Sequence, residues 1–298
     1  MTVKERVAPL RAASMSGQTR LLFLAVAAGW GAPYALIKVA VVDIPPPTLA
    51  CARVAIGALT LLPLALRSGG FDQVRERWRW LVWLGVFELS MPFVLIPAGE
   101  QHLSSALTGV LVSAAPLLVS LMTLGMPQER GGPLRLLGVG IGFVGVAVLL
   151  GFELPHGRTG VEGALMILLA CAGYASSGIV LRYKFAGTRP ESVMFSAMAL
   201  ATLILLPLAV YSGADATPDA GSLLATLALG IGPTGLAFWG FAVLNSRVGP
   251  ARASIVAYVA PIFAVALGVL FLGESVGPGT LAGLVLILGG SRLATGSR

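Results

Sequence analysis

Apolar residues fill this chain in long blocks, and polar or charged residues gather into short breaks between them. Several breaks read "DIPPP", "RSGGFDQVRER", "PQERGGP", "ELPHGRTG" and "SGADATPDAG", rich in the glycine, proline and charge that interrupt helices. Ten apolar runs result, at about 20–42, 47–67, 79–99, 103–126, 132–151, 161–183, 190–211, 220–245, 249–272 and 277–295. A helix that crosses a bilayer needs roughly 20 such residues, because ~1.5 Å of rise per residue must cover a hydrocarbon core of ~30 Å. The pattern predicts an all-α integral membrane protein with ten transmembrane helices. Met1 to Gln18 are polar and basic, and the first run lacks a small-residue cleavage site, so it reads as a retained span and not a signal peptide.

Composition strengthens this picture. Of the 298 residues, 56% are hydrophobic and only 11% charged, an excess of apolar surface that no aqueous core absorbs. The net charge of +7 does not point to nucleic acid, since basic cytoplasmic loops produce that balance in a membrane protein. With ten spans, 17 of the 20 basic residues fall on one side, whereas Asp43, Glu100, Asp215, Asp219 and Glu274 fall in the opposite loops. That asymmetry places both termini in the cytoplasm. Cys51 and Cys171 both lie inside apolar runs, which argues against a disulfide framework or zinc site. No metal or cofactor is expected, and a monomer is compatible with the sequence.

The chain also repeats itself. At an offset of 145, Pro116 meets Pro261, Glu129 meets Glu274, Pro133 meets Pro278, Gly138 meets Gly283 and Gly145 meets Gly290. At an offset of 144, "LLPLA" at Leu61 to Ala65 meets "LLPLA" at Leu205 to Ala209, Trp30 meets Tyr174 and Lys38 meets Arg182. Each copy holds five spans. Five is odd, so the second copy enters the membrane from the other side. Inverted repeats of this kind are characteristic of secondary transporters, with substrate bound near the midplane between them. The expected organisation is a tail (1–19), a first five-helix repeat (20–152), an outer linker loop (153–160), a second repeat (161–295) and a short tail (296–298), around a central cavity.

"WGAPYALIK", "ARVAIGALTLLPL" and "YVAPIFAVALGVLFLGE" resemble the EamA-domain transporters of the drug/metabolite transporter superfamily over nearly the whole chain. The first copy departs from the signature, reading "MPQE" in place of "LGE". The resemblance implies a place in a bacterial inner membrane and export of amino acids or related metabolites without ATP. It leaves the substrate open, with a multidrug exporter of the same fold as the alternative.

Against that background, a few residues are candidates for chemistry. Arg53 lies about two turns inside the second run, where a charge is costly unless it faces water or a partner. It either meets a substrate carboxylate in the cavity, pairs with an acid such as Glu100, or snorkels to the outer interface. Its permanent charge rules it out as a proton carrier. Glu88 is the only carboxylate in the middle of a run, a candidate for proton coupling or for holding a substrate ammonium. Lys38 is a cavity cation or an interfacial anchor. Trp30, Tyr34, Tyr174, Trp239 and Tyr258 lie deep enough to line a cavity. Pro116 and Pro261, with Pro92 and Pro233, are expected to kink their helices, since each lacks the amide that an α-helix requires. Glu129 and Glu274 each precede a proline by four residues and should cap the helix that follows. The glycine spacings in runs five and ten permit close helix contact.

Other function classes find little support. No H-E-x-x-H occurs, and His102 and His156 lie in outer loops. "GYASSG" is one residue too long for a nucleophile elbow, so an enzyme is not expected. No Walker A motif and no selectivity-filter signature is present. The expected mechanism is alternating access to a small-molecule site within the lipid bilayer.

Overall fold

A computed structural model describes residues 16–124, 126, 132–155 and 157–296. Its long helices are α1 (Gly17–Ala40), α2 (Pro46–Ser68), α3 (Trp78–Glu100), α4 (Ser105–Met122), α5 (Pro133–Glu153), α6 (Arg158–Lys184), α7 (Pro190–Gly213), α8 (Ala220–Val248), α9 (Val256–Leu272) and α10 (Pro278–Gly296). The first eight are long and apolar enough to cross a membrane, and α9 is a shorter apolar helix. No strand occurs among the described residues. Glu129, Arg130 and His156, the tail before Ser16 and the last two residues lie outside the described set.

Several of these helices are interrupted. Helix α1 breaks at Ala32, just before Pro33. Helix α4 breaks at Ser113 and Ala114, ahead of Pro116, and a four-residue helix (Pro250–Ala253) precedes α9, where the sequence predicts one run over 249–272. Helices α3 and α8 each contain a π-helical turn, Gly85–Ser90 and Gly230–Leu236. In lipid a carbonyl freed by such a break needs a new donor. The Ser90 hydroxyl donates to the Gly85 carbonyl at 2.7 Å, and the Cys171 thiol donates to the Leu111 carbonyl at 3.6 Å. Cys171 thus has a structural role, and both cysteines are free thiols.

The helices pack most extensively as α5 against α10 and α2 against α7. Glycine makes the first contact possible. A Cβ on Gly290 would lie 2.6 Å from the Gly138 carbonyl oxygen, and one on Gly145 would lie 2.8 Å from the Ile287 amide nitrogen. Neither neighbour is a flexible side chain that could swing away. Gly290→Leu is expected to cost about 1–3 kcal/mol by overpacking, read as a lowered thermal unfolding midpoint in detergent, whereas Gly289→Leu, where a Cβ meets open space, leaves it unchanged.

Contacts define two ends of the bundle. At the near end, the Tyr258 hydroxyl meets the Thr295 hydroxyl at 2.7 Å, and Ser192 donates to the Gly69 carbonyl. At the far end, Thr48 donates to the Ala209 carbonyl at 2.9 Å, and Ser222 donates to Asp43 at 2.7 Å. Asp219 caps α8 there, accepting from the Ser222 amide at 2.7 Å. Hydrogen bonds from Ser222, its backbone amide first, hold the Asp219 carboxyl below its ordinary value. The cap is therefore present at neutral pH and is lost only as pH falls through that lowered value.

Candidate functional site

The interruptions in α1, α3, α4 and α8 surround a cavity of about 390 Å³. Its walls take Trp30 and Tyr34 from α1, Arg53 from α2, Glu88 from α3, Ser113 and Pro116 from α4, and Tyr174 from α6. Pro233 and Phe238 come from α8, Ala257 and Pro261 from α9, and Thr295 from the last turn of α10. Val119 and Thr295 carry the cavity toward the near end of the bundle. Most of the lining is aromatic or aliphatic, and its charged residues are Arg53 and Glu88.

Arg53 is held on two sides. Its guanidinium carbon sits 3.9 Å from the centroid of the Phe93 ring, and its Nε donates to the Thr234 hydroxyl at 2.7 Å. The residue is only 7% exposed. The close approach of α2 to α8 creates this arrangement. A Cβ on Gly57 would lie 2.6 Å from Thr234 Cγ2, and one on Gly230 would lie 2.5 Å from Ile56 Cγ2. Stacking and the Nε bond leave the two terminal nitrogens of Arg53 without a protein hydrogen bond among the described residues. A planar fork of donors at a cavity wall suits a carboxylate.

Glu88 sits in the π-helical turn of α3, the only charged side chain on that stretch. A π turn inserts one residue into the helical repeat and so redirects the side chains that it carries. Glu88 and Arg53 line the same cavity yet form no ion pair with each other among the described residues. Both charges are thus available to a third party.

The structure brings Trp30, Tyr34, Arg53, Glu88, Tyr174, Pro116, Pro233 and Pro261 to the cavity wall, and leaves the other candidates outside it. Lys38 Nζ donates to the main-chain carbonyls of Glu100 at 2.6 Å and Leu103 at 2.7 Å. Trp239 is 38% exposed and borders a crevice with Pro190 and Glu191. Tyr258 lies behind Thr295. Pro92 follows the π turn of α3 and packs on α6, 3.3 Å from where a Gly173 Cβ would stand. Pro261 lies within an unbroken helix, with the interruption six residues earlier, at Ile255.

Other placements depart from sequence expectation. Glu100 is the last residue of α3 and is fully buried, with no ion pair to Arg53. Glu274 does not cap the helix that follows it. Its carboxylate accepts from the Ser105 amide at 2.7 Å, the Ala106 amide at 3.0 Å and the Ser105 hydroxyl at 2.9 Å, at the start of α4. Glu153 takes the role expected of Glu274, accepting from the Thr280 amide at 3.1 Å. Nearness in sequence fails as a guide because α4 and α10 begin at the same end of the bundle, within reach of either acid. Glu274→Ala is expected to destabilise the protein by about 1–3 kcal/mol, the cost of unpaired buried amides, read as a lower thermal midpoint that Glu274→Gln partly restores. Phe93 and Thr234, which fix Arg53, carry no sequence signal beyond lying in apolar runs. Arg135 is buried and binds the Ser120 carbonyl at 2.6 Å, so one basic residue counted as a loop charge is a helix cap.

The profile of the EamA-like transporter family matches the chain twice, at residues 19–151 and 161–296. An aromatic amino acid exporter, YddG, of Ancylobacter novellus is 29% identical over 262 residues, covering 85% of this chain and 88% of its own. A probable terminal-alkyne amino-acid exporter of Streptantibioticus cattleyicolor is 26% identical over 278 residues, covering 89% of each. A solved crystal structure superposes with a TM-score of 0.67 at 23% identity, over 93% of this chain and 96% of the other.

Proposed function

The chain belongs to the EamA-like transporter family, and from that premise we propose that it exports amino acids or related small metabolites by alternating access. The observation that carries this reading is the cavity itself. One guanidinium with free terminal nitrogens and one carboxylate face a largely aromatic, apolar space. A zwitterion offers a carboxylate to Arg53 and an ammonium to Glu88, and its side chain lies against Trp30, Tyr34, Tyr174 and Phe238. Glu88 is alternatively the proton-coupling group, since a carboxyl changes charge and a guanidinium does not. The two relatives named as amino-acid exporters agree with the first role.

On this reading the ten helices cross the membrane as two inverted five-helix repeats, 20–152 and 161–295, with both termini in the cytoplasm of a bacterial cell. The π turns of α3 and α8 begin 145 residues apart, the same offset as the sequence repeat. The helices that pack most extensively, α2 with α7 and α5 with α10, are equivalents in the two copies. The near end is then cytoplasmic, and the cavity faces inward with its far end sealed. On this reading the chain works as a monomer. The interruptions at Pro33, Pro116 and Pro233 are where the helices bend as access alternates, with α5 and α10 as support behind.

Counterflow in proteoliposomes tests this. Vesicles loaded with single amino acids should exchange labelled amino acid, selectively for those with large apolar side chains. The aromatic wall also favours a second reading, a multidrug exporter. Exchange of cationic dyes without exchange of any amino acid would establish that branch and overturn the first.

A further inference from the structure

The far end of the bundle holds a group of ionisable side chains that the cavity does not use. Glu100 closes α3 there, fully buried, and neither of its carboxyl oxygens has a hydrogen-bond partner among the described residues. Lys38 is its neighbour, but two of the three Lys38 ammonium donors go to the main-chain carbonyls of Glu100 and Leu103, and none bonds the Glu100 carboxyl. Glu274, from the opposite half of the chain, is also close, and it holds three donors at the start of α4. Arg53 and Tyr34 are the other titratable groups that face Glu100. On the α6 side, Gly163 and Ile167 pack against Gly99, and Arg158 and Glu162 are paired with each other in solvent.

Two carboxyls therefore sit near one another with opposite surroundings. Glu274 has the donors that an anion requires, and Glu100 has none. An ionised carboxylate without a single donor, buried beside a second anion, is far costlier than a neutral carboxyl in the same place. Groups whose environments diverge in this way divide the charge states between them. Pairing with an ionised Glu100 would draw the Lys38 ammonium away from its present place on those carbonyls, which loosens the end of α3.

We propose that Glu100 is a proton-binding site at the far-end gate: neutral Glu100 seals that end, and loss of its proton to the outer solution turns Lys38 onto the carboxylate and opens it. The proposal rests on the alternating-access reading and adds to it a second carboxyl, distinct from Glu88. It makes the outward-open state favoured at higher external pH.

The test uses the full-length protein in proteoliposomes. A cysteine at Val41, buried at the far end of α1, reports opening through labelling by an impermeant maleimide. The parent chain, whose own Cys51 and Cys171 are buried, is the blank. Labelling, divided at each pH by that of the same cysteine in the denatured chain to remove thiol ionisation, should slow as pH falls, by up to about tenfold per pH unit, the limit for one proton. In Glu100→Gln it should be slow at every pH, whereas Glu76→Gln, at an exposed position outside the cavity, should keep the parent profile. A parent-like pH profile in Glu100→Gln overturns the proposal. Infrared spectra provide a readout independent of gating. The parent at neutral pH should show a neutral-carboxyl stretch that Glu100→Gln diminishes and Glu76→Gln leaves unchanged, and an unchanged band in Glu100→Gln overturns the proposal too. Failure of counterflow in the parent, with both of these results intact, would instead count against the proposed substrate.

Discussion

Arg53→Ala is expected to abolish selective amino-acid exchange while leaving the fold in place. The guanidinium reaches the cavity wall already oriented, stacked on Phe93 and tied through Nε to Thr234. A substrate carboxylate that loses this partner remains desolvated without compensation, which costs about 2–5 kcal/mol, or roughly 30-fold to several thousand-fold in apparent affinity at about 1.4 kcal/mol per factor of ten. The protein itself loses one hydrogen bond and one cation–π contact but is relieved of a buried charge, so its stability should change by no more than about 1 kcal/mol. Arg53→Lys should recover only part of the exchange, because an ammonium cannot stack on Phe93 and present a planar fork at once. Counterflow rates at several substrate concentrations, set beside thermal unfolding, separate the two effects. A folded Arg53→Ala protein with unchanged exchange would remove Arg53 from the substrate site.

Glu88→Gln should have the second largest effect. The amide keeps the size of the side chain and its place in the π turn but carries no charge. A substrate ammonium then loses a charge-assisted hydrogen bond worth about 1.5–3 kcal/mol, so KM should rise by roughly 10- to 150-fold with little change in the maximal rate. The comparison of equilibrium exchange with net flux decides between the roles of Glu88. Retained exchange with loss of pH-driven net flux would make it a proton carrier and not an ammonium ligand.

The candidate site was partly legible in the sequence. Arg53 and Glu88 stand out because a charge inside an apolar run is costly and so marks a special environment. Their shared cavity, and the absence of an ion pair between them, depend on packing among eight helices. The aromatic candidates show where legibility ends. Trp30 and Tyr174 line the cavity and Trp239 faces outward, yet all three sit in equally apolar runs. Lipid is as apolar as a protein core, so a helix whose faces meet lipid on one side and protein on the other has no polar stripe to report its orientation. Glu100 is the reverse case. Its position beside loop residues marks it as a solvent-facing acid, and the fold buries it completely. Glu274 follows the same logic, since a rule about neighbours in sequence assigned it to α10 and the bundle gives it to α4.

The sequence by itself determined that the chain is a helical membrane protein, that it repeats at offsets of 144 and 145, and that it resembles this transporter family. These follow from run length, composition and identity of residues, which need no knowledge of which helix lies beside which. The tertiary structure alone decided which charges are spent and which are free. Thr234 and Phe93 fix Arg53 from chain positions 181 and 40 residues away, and the Lys38 ammonium is turned onto carbonyls 62 and 65 residues distant. A hydrogen bond is satisfied by whatever partner lies within about 3 Å, and for Arg53 and Lys38 that partner stands far along the chain.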